Sequence, residues 1–210
     1  MEKLVLSDIK NIADYEKERP EFYQHVVELK KRRRVFVGDK VTLVFENRDT
    51  VRFQIQEMSR VERIVYEDKI QEEIDVYNGL IPEPSHLAAT VFIEITEMNR
   101  IREILDTLIG LDEYLSIQLG QEEKIPAIFE PGRSRDDRIA AVQYVSFEFS
   151  PEQIEVLKNN SAKVYVLTDH PNYQEKIPTL DDINDYFKLD QINSAQYAAL
   201  IDFYDNPEKV

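Results

Sequence analysis

Apolar positions recur along the whole chain in two periods, and the period in force predicts each element in turn. Ser7 reads as the N-cap of a short helix through Ile12. Pro20 suits the first turn of a second helix, whose stripe of Phe22, Val26, Val27 and Leu29 runs into a basic cluster. Gly38-Asp39 breaks that helix. Val41, Leu43 and Phe45 then alternate with other residues, and Asn47-Arg48-Asp49 separates them from Val51, Phe53 and Ile55, a pattern that predicts a hairpin with a short polar loop. Helical spacing follows at Met58, Val61, Ile64 and Val65, and again at Ile70, Ile74 and Tyr77. Asn78-Gly79 and Pro82-Glu83-Pro84 mark a loop.

Residues 87–95 are β-branched and aromatic enough for a central strand. Ile101, Ile104, Leu105 and Leu108 predict an amphipathic helix with Gly110 as its stop. Residues 114–119 and 124–129 read as two short strands, 131–138 as a charged loop and 139–149 as a long strand. Ser150-Pro151-Glu152-Gln153 is a helix start with Ser150 as cap and Gln153 completing a capping box. Residues 162–167 return as a strand that ends at Thr168-Asp169-His170-Pro171. Thr179 and Ser194 are candidate caps for two further helices, the last bearing Tyr197, Leu200, Ile201 and Tyr204. The expected fold class is therefore α+β, a mostly antiparallel sheet of about six or seven strands with packing helices. Residues 1–190 are expected to form a single domain and 191–210 a C-terminal helix appended to it.

Composition narrows the class. The chain has 210 residues, 42% of them hydrophobic and only five glycines, which suits a packed core and excludes a disordered chain. With no cysteine there is no disulfide, thiolate nucleophile or cysteine-ligated metal centre. The first residues lack the long apolar stretch of a secretory signal, and no window approaches the roughly 20 apolar residues that span a bilayer. A soluble, cytoplasmic protein without membrane contact is expected.

Net charge is −15, divided as +1 over residues 1–70 and −16 over 71–210. So acidic a surface repels phosphate backbones, which argues against nucleic acid as a partner. Lys30, Lys31, Arg32, Arg33 and Arg34 form the one basic run, and the expectation is that it closes a helix, where cations complement the dipole.

Residues 46–57, Glu-Asn-Arg-Asp-Thr-Val-Arg-Phe-Gln-Ile-Gln-Glu, are the stretch hardest to explain as scaffold. On a strand, Arg52, Gln54 and Gln56 share one face. Joined by Arg48, and by Arg60 or Arg63 from the helix behind, they have the donors to clamp a carboxylate or phosphate. The competing reading is an internal network in which Glu46, Asp49, Glu57 and Glu62 neutralise these arginines. Asp169 and His170, at a strand end, are candidates for acid–base work or metal binding. Glu83-Pro84-Ser85-His86 has the spacing of a di-iron ligand pair but lies among prolines in a loop, and Glu21 with His25 is a helical face pair without further ligands.

Further residues carry a resemblance. Lys-Arg-Arg-Arg-Val at 31–35, Phe-Glu-Asn-Arg-Asp-Thr-Val-Arg-Phe-Gln-Ile-Gln-Glu-Met at 45–58 and Arg-Val-Glu-Arg-Ile at 60–64 form its core. Tyr77-Asn78, Leu80-Ile81-Pro82, Ala89-Thr90 and Asp169-His170-Pro171 extend it. Together they resemble the bacterial family known as domain of unknown function 3501, over residues 1 to about 190. The resemblance implies no defined chemistry. It implies a setting, since members are often encoded beside rubrerythrin-like and iron–sulfur, heterodisulfide-reductase-like proteins.

No glycine-rich nucleotide cradle and no nucleophile elbow is present. The sequence therefore favours a non-enzymatic accessory protein that needs no cofactor and partners an iron–sulfur or rubrerythrin-like protein. The alternative is a protein that binds an anionic small molecule through the 46–63 segment. Homodimerisation, through a sheet edge or the last helix, stays open.

Overall fold

Residues 1–121, 123–132, 138–159 and 161–179 are described by a computed structural model. Their strands form two antiparallel sheets. In the first, β1 (Arg34–Val37), β2 (Val41–Phe45), β3 (His86–Ile93), β7 (Val142–Glu148) and β6 (Ile128–Phe129) lie side by side in that order. In the second the order is β5 (Glu123–Pro126), β4 (Leu115–Leu119), β8 (Val164–His170) and β9 (Tyr173–Pro178). Alternation sends Leu43, Phe45, Leu87, Val91 and Phe147 of the first sheet and Ile117, Leu119 and Val166 of the second into one shared core.

Five α-helices complete the described chain: α1 (Ile12–Arg32), α2 (Arg48–Glu62), α3 (Glu67–Tyr77), α4 (Ile101–Thr107) and α5 (Pro151–Lys158). α2 and α3 build a separate apolar cluster with the N-terminal segment, in which Leu4, Ile9 and Ile81 meet Val51, Ile55, Ile70 and Ile74. Glu46 ties this layer to the outer face of the first sheet. Its carboxylate accepts from the hydroxyl of Thr90 on β3 at 2.6 Å and from that of Thr50 on α2 at 2.5 Å.

The fold class is α+β with antiparallel sheets, as the patterning predicts, but several elements differ. The largest change is at residues 48–62, which form helix α2 and not the second strand of a hairpin. Val51 and Ile55 satisfy both periods, since they are two alternations apart and also one helical turn apart. Local capping decides between them: the Asn47 side chain accepts from the Thr50 amide, and the Thr50 hydroxyl accepts from the Asn47 amide. The hairpin forms one step earlier, between β1 and β2 around Gly38.

Pro20 lies inside the continuous α1, which Asn11 caps, and not in a first turn; in place of a short helix from Ser7 through Ile12 there is a single 3-10 turn over Leu6–Asp8. Lys30, Lys31 and Arg32 occupy its last turn as the dipole argument anticipates, while Arg33 is buried and donates to the carbonyls of Phe45 and Glu46. The expected strand over 124–129 divides: after β5 the Ala127 amide still bonds to Leu115 of the second sheet, and the next residues pair with β7 of the first. β8 runs on through Asp169 and His170 and turns back as β9, a strand the patterning did not predict. These changes raise the strand count to nine among the described residues. The Ser150 cap and Gln153 box form as expected. The helices expected after Thr179 and Ser194 lie outside the described residues.

Candidate functional site

Once residues 48–62 are a helix, Arg48, Arg52, Gln56 and Arg60 fall four apart on one ridge. Their partners all come from the N-terminal segment, α1 or α2 itself. Arg48 pairs with Asp8 at 2.7 Å. Gln56 accepts from the Lys10 amide at 2.8 Å and donates to the Lys10 carbonyl at 3.0 Å, the two bonds available between an amide side chain and one residue's backbone. Arg60 reaches Glu57 at 3.0 Å and Glu16 at 3.7 Å. The structure thus brings four of the six predicted residues together, turned toward their own chain.

Glu57 is the hub of the network. It accepts from the Tyr15 hydroxyl at 2.7 Å, from Arg19 at 2.7 and 3.0 Å and from Arg60. Burial works against its ionisation, but the hydrogen bonds from Arg19, Arg60 and Tyr15 prevail and hold its pKa down at about 2. Burial, together with the same contact, pushes the Tyr15 phenol well above its ordinary value. Asp49 meets His25 at 3.3 Å, and that contact with the nearby Arg52 lowers its pKa against the effect of burial.

Arg52 is different. Its guanidinium lies 4.2 Å from the centre of the Phe22 ring, its Nε is buried without a partner, and no carboxylate forms an ion pair with it among the described residues. Gln54 lies off the ridge and makes no hydrogen bond among the described residues. Arg63 caps α2 at its C-terminus in the left-handed conformation, with φ of 56°. Its exposed side chain borders a hollow shared with Arg60, Glu16 and Asn11 at the start of α1.

Asp169 and His170 do not converge, because neighbours on a strand point to opposite faces. Asp169 is exposed and pairs with Lys124. His170 is buried, with Nε2 donating to the Ile109 carbonyl at 2.9 Å and Nδ1 accepting from the Asn172 amide at 3.3 Å. His86 contacts Ser85, and among the described residues no group of three or more histidines or carboxylates is placed to hold a metal ion. No helix among them is long and apolar enough to cross a membrane.

Sequence reasoning missed a cleft of about 330 Å³ on the outer face of the first sheet. Its floor is Ala88 on β3 with Tyr144 and Ser146 on β7. One wall is Val76 near the end of α3 and Leu80 in the turn that follows it, and the other begins at Ile128 on β6. Val76 is 72% and Ile128 51% exposed, so two large apolar side chains frame an opening. The signal was in the alternation of β7, which puts Val142, Tyr144 and Ser146 on the face away from the core, but only a known sheet order places α3 beside them.

A solved structure of a novel protein of unknown function from Burkholderia pseudomallei K96243 superposes with a TM-score of 0.84 at 30% identity, covering 91% of this chain and 100% of that one. No curated protein matches. The family model described as "Protein of unknown function (DUF3501)" matches residues 3–188, and the chain belongs to that family.

Proposed function

We propose that this chain is a non-enzymatic accessory protein that works by binding another protein. The observation that carries this reading is the open apolar cleft beside α3, set against a polar ridge on α2 that is engaged by the chain's own N-terminal segment and α1. Exposed apolar residues continue around the α2–α3 connection, where Val61, Val65 and Tyr66 face solvent. The family setting beside rubrerythrin-like and iron–sulfur proteins supports a partner from a redox or oxidative-stress system, and a cytoplasmic site of action follows from that partner. Affinity capture of the chain expressed at native level is the test. Stoichiometric recovery of a rubrerythrin-like or iron–sulfur protein supports the reading, and repeated captures without any redox protein overturn it.

A second reading rests on Arg63 and Arg60. Both border the hollow at the start of α1, Arg63 has no acidic partner among the described residues, and Arg60 keeps a buried Nε without one. An anionic small molecule held there is expected to raise the melting midpoint in a screen of carboxylates and phosphates. No shift in the wild type, or an undiminished shift in Arg63→Ala, removes this reading.

A further inference from the structure

We infer that the cleft between α3 and the β7–β6 end of the first sheet receives a basic partner segment that inserts one apolar side chain between Val76 and Ile128. This rests on the interaction reading above and supplies the partner's chemistry.

Shape argues for the apolar anchor. The floor residues Ala88 and Ser146 are small, and Tyr144 supplies an aromatic flank. About 330 Å³ lies at the lower end of the roughly 300–1,000 Å³ typical of ligand pockets, a size that suits a side chain with its backbone better than a large cofactor.

Charge argues for the basic flanks. Helix α3 carries Glu67, Asp68, Glu72, Glu73 and Asp75 against the single cation Lys69, which pairs with Glu72. Glu72 and Glu73 lie four and three residues before Val76, so they continue the same helix face above the cleft wall. An apolar slot bordered by the acidic helix α3 selects lysine or arginine beside the anchor and disfavours an acidic sequence. The same charges count against the chain's own residues 180–210, where seven acidic residues stand against two lysines.

The test uses the full chain and a short fluorescent peptide with adjacent leucines flanked by lysines. Three comparisons run beside it: the same peptide with glutamates for lysines, one with glycines for leucines, and the chain alone at rising concentration. Saturable binding of the basic apolar peptide is expected, about tenfold or more stronger than for either control peptide. Val76→Asp and Ile128→Asp should each weaken it by about tenfold or more. Both positions are exposed, so an unchanged melting midpoint will show that folding is intact. Glu72→Lys with Glu73→Lys should weaken it and flatten its salt dependence.

Equal binding of the glutamate peptide, no saturable binding, or indifference to Val76→Asp and Ile128→Asp each overturns the inference. Self-association abolished by Val76→Asp would overturn it too, by assigning the cleft to a second copy. If the peptide fails while native capture still yields a redox partner that Tyr66→Asp releases, the inference falls and the interaction reading stands.

Discussion

The Tyr173 hydroxyl donates to the Val37 carbonyl at 2.5 Å and accepts the Lys40 amide at 3.0 Å, so β9 of one sheet is latched over the hairpin turn of the other. Between those two bonds sits Gly38, with φ of 71°. A methyl group there would fall on the Tyr173 hydroxyl and within 2.7 Å of Glu175 Cγ.

Gly38→Ala is therefore expected to destabilise the fold by about 1–3 kcal/mol, from backbone strain and displacement of the latch together. Tyr173→Phe should cost about 1–2 kcal/mol, since it leaves the Val37 carbonyl and Lys40 amide without their partner. In the Tyr173→Phe background the added methyl meets no hydroxyl, so the two losses should be less than additive. Chemical denaturation of both single variants and the double variant measures this coupling, and strict additivity would contradict the latch.

The Glu57 hub predicts an acid limb. Its folded pKa of about 2 lies below the ordinary carboxylate value of 4.5, so its contribution is complete above about pH 4.5 and is lost as pH falls through about 2. Glu57→Gln should cost about 1–3 kcal/mol at neutral pH, a range that allows for partial solvent exposure of Glu57 and Arg19. It should also flatten the pH dependence of stability between pH 4.5 and 2. Melting midpoints across that interval are the measurement, and parallel curves for wild type and variant would dismiss the hub.

Glu46 joins α2 to the first sheet from a buried position. Glu46→Ala strands the buried Thr90 hydroxyl, leaves that of Thr50 only its bonds to Asn47, and should cost about 2–4 kcal/mol, whereas Thr90→Val alone should cost about 1–2 kcal/mol. Hydrogen exchange distinguishes detachment of the helical layer from global loss: the amides of α2 should open before those of β3 and β7.

The contrast between sequence and structure has a physical origin in each case. Isolated amphipathic runs such as 101–108, and the Ser150–Gln153 start, depend on local capping and periodicity and were legible. Residues 46–57 were not, because Val51 and Ile55 fit a strand and a helix equally and the deciding pair, Asn47 with Thr50, lies at the edge of the pattern. Of the candidate residues, Arg48, Arg52, Gln56 and Arg60 share one ridge of α2, while Gln54 and Arg63 lie off it. Their facing was illegible, because Asp8, Lys10 and Phe22 reach them only once the N-terminal segment and α1 pack against α2. The cleft was hidden for a related reason: Val76 and Ile128 are 52 positions apart in sequence and meet only once β6 is known to pair with β7.

Arg52 separates the two functional readings most directly. Its guanidinium is held by the Phe22 ring and by no ion pair among the described residues. Arg52→Ala should therefore cost only about 0.5–1 kcal/mol, the worth of a partly exposed cation–π contact. Arg52→Lys should recover part of it, because an ammonium also favours the ring face but lacks the planar stack. A larger loss would place Arg52 inside the structural network. A small loss accompanied by disappearance of a carboxylate- or phosphate-induced thermal shift would identify it as a ligand contact.

Adjacent residues on β8 make the last prediction. His170 is enclosed, with the Ile109 carbonyl and Asn172 amide on its two ring nitrogens and the Tyr114 ring edge-on at 5.3 Å. Asp169, on the other face, has only an exposed ion pair with Lys124. His170→Ala removes packing and leaves the Ile109 carbonyl without its donor, so a loss of about 2–3 kcal/mol is expected. Asp169→Ala should change stability by less than about 0.5 kcal/mol. Denaturation midpoints of the two variants give the comparison. Were His170→Ala as stable as wild type, the bonds to Ile109 and Asn172 would carry no weight in the fold, and the imidazole would be free for the acid–base or metal-binding role that its enclosure now argues against.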